Sequence, residues 1–423
     1  MSLGRVGIYA EYSALMFIQA AGMSAWLVPL GPVLDAHGLG AIKPLAFATS
    51  ALACFVSPLF FGAMADRHAS PVKVLRGLAL ATAIAMALAT TAIQRCNHVW
   101  VILGLIQLYA LCTAPTWGIA STIVFARLKD ARQEFGPVRA MGTLGWMAGC
   151  LLISGLNADS TTGAGYCGSV IWLLVAGFTF FLSPVEPPPS AHVSWHERLG
   201  LDALTLLKNP RHRVMFITAA LMNMAIAAFY PYAPAHLHDL GFQHTTAWTS
   251  LGQVTEVVAM FTLGRLLLRW PMKWLVAAGL GFGVLRFVFS ACNTRAWLLL
   301  GVSLHGASFV LVLIIAQIYL EKNVEIAWRA RAQALFALMT SGVGNLLGYL
   351  GSGWWFHICT PRLVTDWPLF WNGLAATVGL VLVYFLVMYR DRERGVNVET
   401  ANLNRQNSEK IQHSILKQKK SVT

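Results

Sequence analysis

PVEPPPSAHVSWHERLGLDALTLLKNPRH, residues 184–212, is the longest polar connection in a chain built mostly of apolar segments. PVEPPP predicts a stiff, extended beginning. In WHERLGLDALTLL the apolar residues recur at helical spacing, which predicts a short amphipathic helix on the inner membrane surface. Six apolar segments long enough to cross a bilayer precede this connection, at about 12–34, 43–64, 72–93, 99–122, 139–157 and 167–183. Six follow it, at about 213–235, 246–268, 273–291, 296–320, 331–354 and 367–389. The expected fold is therefore an all-α membrane protein with twelve transmembrane helices. It divides into an N-terminal six-helix bundle over 1–183, a cytoplasmic linker over 184–212, a C-terminal six-helix bundle over 213–389 and a disordered cytoplasmic tail over 390–423.

Composition agrees. The 423 residues are 57% hydrophobic and 12% charged, with a mean hydropathy of +0.60. A soluble domain carries about 25% charged residues. The net charge of +13 fits Lys and Arg held at cytoplasmic ends of spans, and no signature for binding nucleic acid is present. The first apolar segment runs on past the small residues of QAAGMSA to Leu34, too long for a signal-peptide core, so it is read as an uncleaved span.

Charge also orients the chain. Arg67, Lys73 and Arg76 follow span 2; Arg127, Lys129, Arg132 and Arg139 follow span 4; Arg265, Arg269 and Lys273 follow span 8; Lys322, Arg329 and Arg331 follow span 10. NADSTTGAGYCGS and HLHDLGFQHTT, after spans 5 and 7, hold neither Lys nor Arg. The positive-inside rule then places both termini in the cytoplasm, as an even number of spans also requires. The tail ending ILKQKKSVT reads as a solvated segment weakly attracted to anionic lipid.

The chemistry-bearing motifs narrow the function class. Seven cysteines stand singly, without metal spacing. Cys96, Cys167 and Cys359 fall toward the outer side, where a disulfide is an alternative to the reading as small buried apolar residues. There is no phosphate-binding GxxxxGK[ST], no HExxH and no nucleophile motif, so neither an ATP-driven pump nor an enzyme is expected, and no metal or cofactor is called for.

What remains is a handful of polar residues inside spans. Glu256 sits in LGQVTEVVAM (251–260), the one acid deep in a span. Placing an acid at a helix centre costs about 2.5–3.5 kcal/mol on insertion scales, and an intramembrane ionisable residue is a functional candidate by default. Gln253 lies three residues earlier, on the same helix face. Desolvation favours the neutral, protonated form of a carboxyl group, which suits a proton carrier; ionised, the same group accepts hydrogen bonds from a ribose. The alternative is a structural acid paired with a buried cation. Arg139 and Thr143, four apart, share a face at the inner start of span 5. An arginine with five donors suits a carbonyl-rich base, although a positive-inside anchor is the ordinary use of this position. Arg286, in LGFGVLRFVF, needs a partner and is read as half of a structural ion pair. His305 opens span 10 and is a candidate for proton coupling beside Glu256, or an interface residue. Trp146 and Phe309 lead the aromatics that can stack on a flat ring, ahead of Trp26 and Tyr230. Asn223 and Asn345 read as interhelical hydrogen-bonding residues.

GAMADRHASPVKVLR, after span 2, resembles the loop signature of the major facilitator superfamily: Gly62 followed four residues later by Asp66 and Arg67, which would act at the inner gate. A six–linker–six layout is that superfamily's parallel-repeat plan. Within it, FIQAAGMSAWLVPLG, PVRAMGTLGW, LGLDALTLLKN, GQVTEVV, VLRFVFSA, the run from HGASF through YLEKNVE to RARAQALFALMTSGVGNLLG, and DWPLFW are similar, in order, to the bacterial nucleoside:proton symporter family. The resemblance implies nucleoside uptake coupled to protons by alternating access, in the bacterial inner membrane, by a monomer. It implies that Arg139, Thr143, Trp146, Gln253, Glu256 and Phe309 line the substrate site. The chain departs from the family where an aspartate is replaced by Val310 and where span-7 amides are replaced by Ala227 and Tyr230. A transporter of a sugar or another small polar metabolite, and a non-transporting receptor on the same scaffold, remain as alternatives.

Overall fold

The computed structural model describes residues 3–65, 70–128, 131–183, 185 and 199–390, and every regular element among them is helical. Ten of the helical segments are long and apolar enough to cross a membrane: α1 (Tyr9–Ala36), α2 (Gly40–Ser57), α3 (Pro71–Gln94), α4 (Val99–Phe125), α7 (Pro210–Asp239), α8 (Thr245–Arg269), α9 (Met272–Ala291), α10 (Arg295–Asn323), α11 (Ile326–Ile358) and α12 (Trp367–Met388). Two helices stand between α4 and α7. The first, α5 (Ala131–Gly155), opens with the polar run ARQEFGPVR. The second, α6 (Gly163–Phe178), is apolar but only 16 residues long.

Large apolar side chains face outward: Ile84, Leu174, Leu268 and Leu380 are each more than half exposed. A soluble monomer rarely carries so much exposed apolar surface, whereas acyl chains solvate it. The buried apolar residues form two large clusters. One draws on Tyr12 to Val185, with Ala227 and Tyr349; the other draws entirely on Ala203 to Tyr389.

Two close helix pairs set the centre. On α5, a Cβ added at Gly145 or Gly149 would collide with the backbone of Phe17 or Ala21, so these glycines, four apart on one face, let α1 and α5 touch. On α10, a Cβ at Gly306 would collide with the backbone of Gly252 and Glu256, which fixes α8 against α10. Further along, α10 and α11 each carry a π-helical stretch, Val310–Ile314 and Leu338–Gly344. Such bulges re-aim side chains inside a helix and are frequent at functional sites.

At the end of α5 a polar knot joins the two parts of the chain. Ser154 Oγ donates to Asp159 Oδ1 (2.7 Å), the Thr246 amide donates to the same oxygen (2.7 Å), and the Ala247 amide donates to Ser154 Oγ (2.9 Å). His244 Nδ1 meets Ser154 O at 2.9 Å. Near the same end Lys43 binds Asp35 at 2.6 Å.

Several expectations change. The linker's described end is a short 3-10 helix, Leu201–Lys208, and the start of the expected amphipathic helix lies outside the described residues. Gly200, at φ +69°, turns the chain into it, and a Cβ there would collide with the α11 backbone at Arg331 and Leu335. The linker thus ends docked against α11, and Ala203 is buried. The sixth apolar segment ends earlier than its sequence implies, since Phe180 and Phe181 lie past the end of α6. All seven cysteines are free; Cys359 is buried, Cys167 half-buried, and Cys96 exposed. Asp66 and Arg67, residues 186–198 of the linker, and the tail from 391 onward lie outside the described residues.

Candidate substrate site

A cavity of about 380 Å³ lies where α1, α4, α5, α7, α8, α10 and α11 converge. Its size falls within the range of small-molecule sites, about 300–1,000 Å³. All six residues expected to bind substrate line it: Arg139, Thr143 and Trp146 from α5, Gln253 and Glu256 from α8, and Phe309 from α10. His305 also reaches it. Helical spacing explains the convergence. Residues 139, 143 and 146 form one stripe, 253 and 256 another, and 305 and 309 a third, and the glycine contacts turn the first two inward.

Arg139 is directed to the cavity. The α5 helix begins at Ala131, so Arg139 stands more than two turns inside it. Its guanidinium lies 4.7 Å from the centre of the Trp117 ring, a cation–π contact. Gly142 makes room for that ring: a Cβ would come within 2.7 Å of it. Across the cavity Arg139 and Glu256 attract each other, and the Thr143 hydroxyl interacts with the same carboxylate. The two charges do not close to a salt bridge; those among the described residues lie elsewhere, at Lys43–Asp35, His238–Asp239, His244–Asp159 and Arg329–Glu321.

Hydrogen-bonding capacity is left over. Gln253 Nε2 donates to the Tyr230 hydroxyl at 3.3 Å, but Gln253 Oε1 is buried without a partner, and so is Trp146 Nε1. An unmet buried polar atom costs about 1–3 kcal/mol. Here one acceptor and one donor belong to residues that line one cavity. Aromatic surface surrounds them, with Trp146 and Tyr230 5.8 Å apart between centroids.

Arg286 differs from expectation. It is 2% exposed and its partner is an imidazole, not a carboxylate: Nη1 donates to His305 Nδ1 at 2.6 Å. The rings of Phe229 and Phe287 each lie 4.7 Å from the guanidinium carbon. His305 in turn stacks on Phe229 at 4.2 Å. With Nδ1 accepting from an arginine, the neutral ring carries its proton on Nε2. Val310, where the family has an aspartate, is wholly buried in the apolar cluster behind Phe309.

Other residues complete the wall. Asn223 donates to Thr340 O (3.0 Å) and Asn345 Oδ1 (2.7 Å), the interhelical role expected of both amides, and both line the cavity. Tyr230, ranked low from sequence, is part of the wall, whereas Trp26 is not. Trp117, Met23 and Tyr349 gave no sequence signal: apolar or aromatic residues in a span look alike until the face is known.

A helical membrane fold with a cavity at its centre that charged and amide side chains line fits a transporter of the major facilitator kind. The family model described as nucleoside H+ symporter matches residues 6–394, and the chain belongs to that family. It is similar to the "Putative nucleoside transporter YegT" of Escherichia coli K12, with 30% identity over 413 residues, 92% of this chain and 95% of that protein. The nucleoside permease NupG of the same organism is 26% identical over 406 residues, 90% of this chain and 95% of that one. A crystal structure of the nucleoside transporter NupG superposes with a TM-score of 0.80 at 25% identity, covering 91% of this chain and 100% of that chain. As a member of the family, the chain is a multi-pass membrane transporter that couples nucleoside uptake to protons.

Proposed function

We propose that the nucleoside binds in the cavity between α5, α8 and α10, and that Glu256 carries the coupling proton. Gln253 and Glu256 accept from the ribose hydroxyls, Arg139 and Thr143 bind the polar edge of the base, and Trp146 and Phe309 stack on its faces. The observation that carries this reading is the pair of unmet polar atoms, Trp146 Nε1 and Gln253 Oε1, beside opposite charges held apart. Such a site has both a place for a polar solute and an acid whose partner can change. Arg286 is engaged at His305 Nδ1, and among the described residues Glu256 is the one carboxylate lining the cavity.

In this reading α5 and α6 complete a set of twelve spans, in two six-helix bundles over 1–183 and 213–389. Both termini face the cytoplasm, Asp66 and Arg67 act at the inner gate, and a monomer works in the bacterial inner membrane. The knot of Ser154, Asp159 and residues 244–247 then closes the outer end. The test is uptake of labelled uridine and adenosine into proteoliposomes. Accumulation above equilibrium with an inward proton gradient, and only equilibration without one, is expected; absence of nucleoside binding at millimolar concentration contradicts the site.

A further inference from the structure

Beside the central cavity lies a second one of about 240 Å³, between α1, α2, α4 and α11. The two meet at Met23, Leu27, Asn345 and Tyr349, which line both. Nothing from α8 reaches the second cavity. Its chemistry is the opposite of its neighbour's. Trp26, Phe47, Ile106 and Tyr109 make its walls, and Trp26 and Tyr109 lie 5.2 Å apart between centroids. Its serine and threonine hydroxyls are turned to their own helices: Thr49 donates to Ala46 O (2.6 Å), Ser50 to Phe47 O (2.7 Å) and Thr113 to Tyr109 O (2.9 Å). None of its polar atoms is left buried without a partner.

We propose that this side lobe receives an apolar substituent on the base of the transported nucleoside. The inference rests on the nucleoside reading of the central cavity. A ligand held by its ribose on Gln253 and Glu256 turns its other end away from α8, toward the boundary formed by Met23 and Leu27. Methionine is unbranched and adaptable, so Met23 can give way to a group that passes it. A dry apolar cavity of about 150 Å³ is enough to take benzene, so the lobe has room for a benzyl-sized group. Arg139 and Glu256 line the main cavity, whereas among the described residues no charged side chain lines the lobe, so a ligand with a polar body and an apolar appendage matches both.

Binding of adenosine and N6-benzyladenosine to the full-length protein in nanodiscs tests this. The wild type is expected to bind N6-benzyladenosine at least as tightly as adenosine. Ala110→Leu and Ala46→Leu, at residues that line the lobe and not the central cavity, are expected to weaken the benzyl derivative about tenfold and leave adenosine within about threefold. Two variants on different helices guard against misfolding of one, which adenosine binding itself reports. If the wild type binds adenosine but the benzyl derivative more than about tenfold more weakly, the lobe assignment is wrong while the nucleoside reading stands. Equal weakening of both ligands in both variants also overturns the lobe. If adenosine does not bind the wild type, the nucleoside reading fails and takes the lobe with it.

Discussion

Glu256 and Arg286 are both charged residues within helices that face a membrane, yet they are held in contrasting ways. Arg286 is enclosed: an imidazole accepts from it and two phenyl rings cover it. Glu256 lines a cavity, with Arg139 opposite but out of salt-bridge reach and one threonine hydroxyl beside it. A charge whose surroundings are complete contributes to the packing of the protein. A charge with incomplete surroundings can exchange a proton or a substrate hydroxyl for what it lacks. The contrast separates the two roles more sharply than burial does.

Substitutions can break this contrast. The largest effect is expected at Glu256: Glu256→Gln keeps the shape but cannot release a proton, so gradient-driven accumulation should fall about a hundredfold or more, the scale of losing a general acid–base group, in proteoliposome uptake assays. Val310→Asp comes next. The position is fully buried in an apolar cluster, so an acid there should destabilise the protein by about 3–5 kcal/mol, visible as a loss of thermal stability without any gain in coupling. Arg139→Lys should weaken nucleoside binding about tenfold, since a point charge replaces a planar fork, read by equilibrium binding. Arg286→Met should shift stability by no more than about 1–2 kcal/mol, because a hydrophobe of similar volume fits between Phe229 and Phe287, with nucleoside binding changed less than in Arg139→Lys. Trp117→Leu should have the smallest effect, about 0.5–1 kcal/mol of binding through the lost cation–π contact with Arg139.

Much of the site was legible because helices convert spacing into faces. Arg139 with Thr143, and Gln253 with Glu256, are three or four residues apart, so each pair was bound to share a face. The membrane made each polar residue conspicuous. The apolar pattern hides which face of a span looks inward, so Trp117, Met23 and Tyr349 carried no mark, and Trp26, a weaker candidate for stacking, lies in the side cavity instead of the central one. The partner of Arg286 was missed for a related reason. A buried cation predicts an anion by charge alone, whereas an aromatic and imidazole cage depends on Phe229, Phe287 and His305 arriving from three helices. The length of α6 and the 3-10 geometry at Leu201–Lys208 depend on local termination, which hydropathy does not report.

The central claim is that Glu256 is the proton carrier and that the cavity binds nucleoside without it moving. The direct measurement compares two modes of transport by Glu256→Gln in proteoliposomes. The account predicts that labelled nucleoside still exchanges against unlabelled nucleoside inside, while accumulation driven by an inward proton gradient is lost. Full gradient-driven accumulation by this variant would contradict it.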